Sequence, residues 1–263
     1  MPSTVRTRLV AALVLPIAAL TFSACGATGA QQALDDVDPV PTTALVTPSA
    51  PGGPSTEVPV APVVSSPSLA ARLAGATEVF AEPSADADVV TTLEATTELG
   101  SATTLLAVAQ QGDWLQVSLP IRPNGSTGWI PADAAELRSN DYVITVDLEA
   151  RMLTLSEGEA IVVQTPVAIG SDENPTPPGQ YFVTDLVDTG DPAGAYGPFA
   201  FGLSGHSETL SEFGGGDGQL GIHGTNDPSS IGQPVSHGCV RVPNDTIAQM
   251  VDLVPLGTPV TVV

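Results

Sequence analysis

The sequence predicts a mainly β protein in two successive folded units, a small all-β barrel followed by a β-sandwich with one packed helix. Short apolar stretches separated by turn signals recur from about residue 71 to 138. From about residue 140 to 263 alternating apolar runs continue, broken by a single stretch of helical spacing. The residues before 70 show neither period, so the core must be built from the remainder.

The N-terminus divides into two parts that add nothing to a core. Arg6 and Arg8 precede the apolar run Leu9 to Leu20, and Ser23 and Ala24 lead into Cys25, the layout of a secretory signal peptide over residues 1–24. The run is too short to be a good spanning helix. Phe22-Ser23-Ala24-Cys25 resembles a lipoprotein signal, which implies that Cys25 carries lipid and ties the exported chain to the outer face of a membrane. An ordinary secretory cleavage near Ala30 is the alternative, and it would release a soluble protein. Residues 25–70 are dominated by Pro, Ala, Thr, Val and Ser, a composition that favours extended linker. At roughly 3.1 Å per residue, such a tether reaches about 140 Å.

Charge and cysteine usage narrow the function. A formal charge of -22 excludes a basic nucleic-acid footprint. Two cysteines in an exported chain allow a Cys25–Cys239 disulfide, but a bridge from the tether would constrain no folded element. If lipid consumes Cys25, Cys239 is a lone thiol in an oxidising compartment, a liability unless it is used.

In the first folded unit, residues 71–138, strand candidates include Glu78-Val79-Phe80, Asp88-Val89-Val90, Thr104 to Val108, Trp114 to Val117 and Gly128-Trp129-Ile130. Gly112-Asp113-Trp114-Leu115-Gln116-Val117 and Arg122 to Ile130 resemble bacterial SH3-like modules, which implies a peptide- or wall-binding accessory or a spacer. Trp114 and Trp129 are expected to pack the core of this module in preference to forming a ligand shelf.

The second unit, residues 140–263, opens with Tyr142 to Leu148 and Met152 to Leu155, a hairpin signal. Further strand candidates are Ile161 to Ala168, Gln180 to Val187, Phe199 to Leu203, Leu220 to His223, Cys239 to Val242 and Pro259 to Val263. Ile247, Met250, Val251 and Val254 recur at helical spacing behind Asn244 or Asp245, either of which can cap a helix. Gly202 to Gly218 reads as a long loop of the kind that often forms a lid, carrying a His206 that is exposed or, as the alternative, contacts substrate; Tyr181 and Tyr196 read as core residues in preference to lining the cleft.

Chemistry concentrates near the C-terminus. Two of the three histidines, His223 and His237, lie close before Cys239, and a thiol with a free pKa of about 8.5 needs a neighbouring imidazole to act as a nucleophile. Residues two apart in extended chain share a face, so either histidine is a candidate base. The blocks Ile222-His223-Gly224-Thr225 and Ser236-His237-Gly238-Cys239-Val240-Arg241, with the hairpin at 142–155 and Pro175-Thr176-Pro177-Pro178-Gly179, resemble the L,D-transpeptidase catalytic domain across the whole second unit.

That resemblance implies a peptidoglycan L,D-transpeptidase with Cys239 as nucleophile and His223 as the base forming its ion pair, oriented by the Gly224 carbonyl. Any side chain would serve at a backbone acceptor, so glycine there is read as costing nothing. His237 lines the site, Ser236 supports the loop, and N–H groups near Gly238 and Cys239 receive the oxyanion. Arg241 stands where the family often has asparagine, and it either clamps a substrate carboxylate or pairs with an acidic neighbour. Peptidoglycan stem peptides are the implied partners, carbapenem-type compounds the implied inhibitors, and no metal or organic cofactor is implied. With water as acceptor the activity becomes that of an L,D-carboxypeptidase. Competing readings are a papain-like wall hydrolase, in which the cysteine would precede the histidine, a zinc site, which lacks a second paired spacing, and a non-catalytic wall-binding lipoprotein.

Overall fold

A computed structural model describes residues 67–263. The signal segment, Cys25 and nearly all of the linker lie outside the described residues. Among the described residues no helix is long and apolar enough to cross a membrane.

Seven strands come first: β1 Ser68–Leu73, β2 Thr77–Phe80, β3 Val89–Leu93, β4 Thr104–Gln111, β5 Trp114–Ser118, β6 Thr127–Pro131 and β7 Ala135–Asn140. They form one sheet in the order β3-β2-β6-β5-β4-β1-β7. The order ends on β3 and β7, and among the described residues no pairing joins those two, so the sheet does not close on itself as a barrel would. β1 begins inside the stretch read as linker, because Leu69 and Ala70 already pair with β4 and β7. Alternation along β5 and β6 buries Leu115, Val117 and Ile130 and turns Trp114 and Trp129 to the other face, where both are half-buried. The tryptophans, expected to pack this core, are thus outside its fully buried set. Trp114 instead meets Phe80 edge-on at 5.4 Å between ring centroids.

The second group comprises β8 Tyr142–Asp147, β9 Met152–Glu157, β10 Ala160–Pro166, β11 Ile169–Gly170, β12 Gly179–Asp188, β13 Phe199–His206, β14 Gln219–His223, β15 Pro234–Ser236, β16 Val240–Arg241, helix α1 Asn244–Val251 and β17 Pro259–Val262. Eight of these strands make a mixed sheet in the order β10-β9-β8-β17-β12-β13-β14-β16, and β11 with β15 makes a small second one. This is a mainly β architecture with one packed helix, consistent with the expected sandwich. The C-terminal β17 inserts between the opening hairpin and β12, parallel to β8 and antiparallel to β12. At the far edge β16 runs parallel to β14, which makes His223 and Arg241 register partners.

The larger core joins Ile144, Val146, Leu153 and Leu155 of the hairpin to Val183, Phe201, Ile222 and Val240. Helix α1 closes it by burying Ile247 and Met250 completely, each side chain contributing about 1.5–3 kcal/mol of transfer free energy. The expected cap is absent: Pro243 precedes the helix with no side-chain capping bond, and Asn244 instead accepts the Thr225 N–H at 2.7 Å. Phe182 of β12 joins the core of the first sheet, while Asn140 bonds Thr258 at 2.9 Å and Thr97 bonds Asp185. The two sheets thus share apolar and polar contacts.

The segment 202–218 departs most from expectation. β13 runs on to His206, which is buried at 4% exposure with Nε2 2.9 Å from Asp217 Oδ2. The reading of His206 as an exposed loop residue is overturned, because the strand carries it inward to the neck of a shorter loop, 207–218.

Candidate active site

The thiol sits on a turn whose polar groups are mutually satisfied. β15 ends on Ser236, the chain turns through His237 and Gly238, and Cys239 enters β16. Ser236 Oγ donates to the Cys239 carbonyl at 2.5 Å and accepts the Gly238 N–H at 3.1 Å. On the other side Thr176 Oγ1 donates to the Gly238 carbonyl and accepts the Gly170 N–H, each at 2.8 Å. Gly238 has φ 116°, a conformation that L side chains rarely adopt. Both its N–H and its carbonyl are engaged within the turn, so its N–H is not a free oxyanion donor.

His223 ends β14 and is 5% exposed. Its Nδ1 lies 2.6 Å from the Gly224 carbonyl, which can only accept, so Nδ1 carries the proton and Nε2 keeps the lone pair. Glycine at 224 is not a neutral choice, contrary to the sequence reading. A Cβ there would lie 2.4 Å from Asn244 Oδ1 and 3.0 Å from Pro198 Cδ. Removing the side chain lets the helix entry close against the residue that orients the imidazole.

One small cavity of about 90 Å³ is lined by Ala195, Tyr196, Phe213, His223, Ser236, His237, Cys239 and Arg241. The fold therefore gathers His223, Ser236, His237, Cys239 and Arg241 at one place, with Gly224 and Gly238 directly behind them. Cys239 is half-buried and unpaired. His237 is exposed and stacks on Phe213 at 4.9 Å with the rings 30° apart. The two histidines thus differ in kind: one is buried with a fixed tautomer, the other lies on the surface beneath an aromatic ring. Arg241 exchanges two 2.9 Å backbone bonds with Ala168, and its side chain reaches the cavity. Among the described residues Arg241 forms no ion pair, the alternative that its acidic surroundings had offered.

Burial dominates the electrostatics. It lowers the His223 pKa to about 4, aided by the Arg241 charge and opposed by the Gly224 hydrogen bond. It also raises the Cys239 thiol, against the lowering effects of the Gly221 backbone hydrogen bond and Arg241. Both directions favour a neutral thiol beside a neutral imidazole, not the resting ion pair expected from the sequence. Tyr196 is likewise held as a phenol, first by burial and then by the neighbouring Cys239.

Sequence reasoning weighted one residue wrongly and missed two. Tyr196, for which core packing was preferred to lining the cleft, is 44% exposed, with its ring centroid 4.7 Å from that of His223. Phe213 was hidden in a Gly-rich polar stretch, where a lone aromatic was the available signal. Thr176 was visible only as part of a proline-rich turn, and its buried hydroxyl reaches the nucleophile's neighbour across 62 residues. Tyr181, by contrast, is a core residue at 3% exposure.

Residues 141–262 match the family model described as the L,D-transpeptidase catalytic domain. Two similar proteins are both named Putative L,D-transpeptidase YkuD. That of Bacillus subtilis is 34% identical over 121 residues and that of Bacillus licheniformis 35%, each alignment covering 46% of this chain. The chain spans 65% of the length of these relatives. Among solved structures, Bdellovibrio bacteriovorus Bd1075 aligns over 47% of either chain at 28% identity with a TM-score of 0.37, too loose a superposition to bear on mechanism.

Proposed function

We propose that this chain is a peptidoglycan L,D-transpeptidase that works through a thioester on Cys239. The observation that carries the reading is the cavity lined by both Cys239 and a buried His223 whose Nδ1 is committed to Gly224. The match of residues 141–262 to the family model supports it. His223 Nε2 takes the thiol proton as Sγ attacks the carbonyl carbon of the donor stem's L-centre. Because both groups rest neutral, proton transfer accompanies attack and does not precede it. The Cys239 N–H, left over when Gly238 is engaged by Ser236, receives the developing oxyanion. Collapse breaks the bond to the terminal D-residue, whose amine leaves with the proton from His223. An acceptor amine then attacks the thioester, gives its proton to His223 and releases the thiol. Water in place of the amine makes the same centre an L,D-carboxypeptidase.

Arg241 supplies the unpaired cation of the cavity and is assigned to a stem carboxylate. His237 pairs with Phe213 as a substrate-facing surface. The wider layout is part of the same proposal: residues 1–24 as signal peptide, 25–67 as a linker lipidated at Cys25, 68–140 as an SH3-like wall-binding or spacer module, and 141–263 as the catalytic domain at the outer face of the membrane.

The test is mass spectrometry of purified protein incubated with tetrapeptide stems or a carbapenem. Wild type is expected to gain an acyl adduct mapped to Cys239, which His223→Ala abolishes and His237→Ala only slows. No adduct on a thiol shown to be reduced would overturn the enzyme reading in favour of a wall-binding protein.

A further inference from the structure

The loop between β5 and β6, residues 119–126, belongs to the first sheet, yet its side chains end on the loop 207–218 of the second. Arg122 Nη1 donates to the Ser207 carbonyl at 2.6 Å, and Nη2 donates to those of Leu210 at 3.0 Å and Asp217 at 2.8 Å. One guanidinium therefore ties both legs of that loop together, using the fixed fork of donors that arginine alone provides. Asn124 adds a reciprocal pair with the residue before the loop: Nδ2 donates to the His206 carbonyl and Oδ1 accepts the His206 N–H, both at 2.8 Å. The neck is closed by the Ser207 N–H on the Gly218 carbonyl at 2.8 Å. Gly218, at φ +80°, leaves room for this, since a Cβ there would lie 2.4 Å from the Leu210 carbonyl oxygen and 3.0 Å from Arg122 Nη2.

The other end of the same loop reaches the cavity. Phe213 and Gly216 exchange 3.0 Å backbone bonds in a tight turn, and the Phe213 ring lies on His237 beside Cys239. Phe213 is part of the wall of this cavity of about 90 Å³, so its stance shapes the way in for a peptide.

We propose that Arg122 and Asn124 are positioning residues: through them the first sheet grips the loop 207–218 by its neck and sets the Phe213 roof over the Cys239 cavity. Its kinetic consequence rests on the acyl-transfer reading above, while the mechanical claim stands apart from it. The first unit is then a working part of the site and not only a spacer.

The experiment compares full-chain wild type with Arg122→Ala, Arg122→Lys and Asn124→Ala. Arg138→Ala serves as a control, because it removes an exposed ion pair with Glu136 elsewhere in the same sheet. Hydrogen exchange across 207–218 is expected to quicken about tenfold or more in Arg122→Ala, with β12 and β14 unchanged. Capture of Cys239 by a bulky maleimide is expected to quicken with it, and KM for a stem peptide to rise more than kcat falls. Arg122→Lys should recover part of the effect, and Arg138→Ala should show none. Exchange in 207–218 within about twofold of wild type would overturn the proposal. So would a loosened loop that leaves maleimide capture unchanged. If Arg122→Ala does not fold, Asn124→Ala must by itself quicken exchange over 206–210. A wild type that never acylates removes the transpeptidase reading, and exchange and thiol capture still decide the grip.

Discussion

Holding a histidine neutral in the folded state makes stability depend on pH, and the size follows from the burial of His223. Its pKa is lowered from 6.5 to about 4. Between those values the unfolded imidazole binds a proton that the folded one refuses, so acid favours unfolding. The contribution is fully present above pH 6.5 and is lost as pH falls toward 4. At about 1.4 kcal/mol for each pH unit, the loss amounts to about 3 kcal/mol, a large share of the roughly 5–15 kcal/mol that holds most domains folded. Urea unfolding of wild type and His223→Gln at pH values from 7 down to 4.5 isolates it, because the carboxylates common to both proteins cancel in the difference. Wild type is expected to lose stability faster than the variant across this window, by at most about 1.4 kcal/mol per pH unit. A flat difference would mean that His223 is solvated or charged, and the neutral resting pair would go with it.

Three further outcomes follow from the same geometry. Alkylation of Cys239 by iodoacetamide should be slower at pH 7 than that of a free thiol and should still be climbing at pH 9, since burial raises its pKa; a plateau by pH 7 would indicate a resting thiolate. Thr176→Val should cost about 1–3 kcal/mol in chemical denaturation and slow acylation, because the Gly170 N–H and the Gly238 carbonyl lose a buried partner together. Gly224→Ala should displace the His223 ring by driving a Cβ against Asn244 Oδ1, seen as a shifted His223 titration by NMR; an unmoved titration would show that the helix entry yields instead.

Much of this architecture was legible because β alternation leaves a period-two trace wherever one face is buried. Tyr142 to Leu155 is such a case, and the hairpin pairs Ile144 with Leu155 and Val146 with Leu153, all fully buried. Aromatic bulk, by contrast, was a poor guide at Trp114 and Trp129. Alternation tells which residues share a face but not which face the core takes, and here the aliphatic partners Leu115, Val117 and Ile130 took it. The helix was legible from Ile247 and Met250, but its cap was not. Asn244 has a long-range partner in Thr225 that outcompetes the local bond.

The sequence by itself determined the chemical inventory and its local order: His223 followed by Gly224, then Ser236, His237, Gly238 and Cys239 within one short stretch, and Arg241 after them. Local spacing suffices there because the serine that braces the turn lies three residues from the carbonyl it holds. Only the tertiary structure decided that burial disfavours charge on both the imidazole and the thiol, that Thr176 locks the turn from 62 residues away, and that Arg122 reaches 85 residues along the chain to the loop over the cavity. Those properties belong to desolvation and to contacts between distant strands. Both arise when the sheets assemble, so no stretch of sequence contains them.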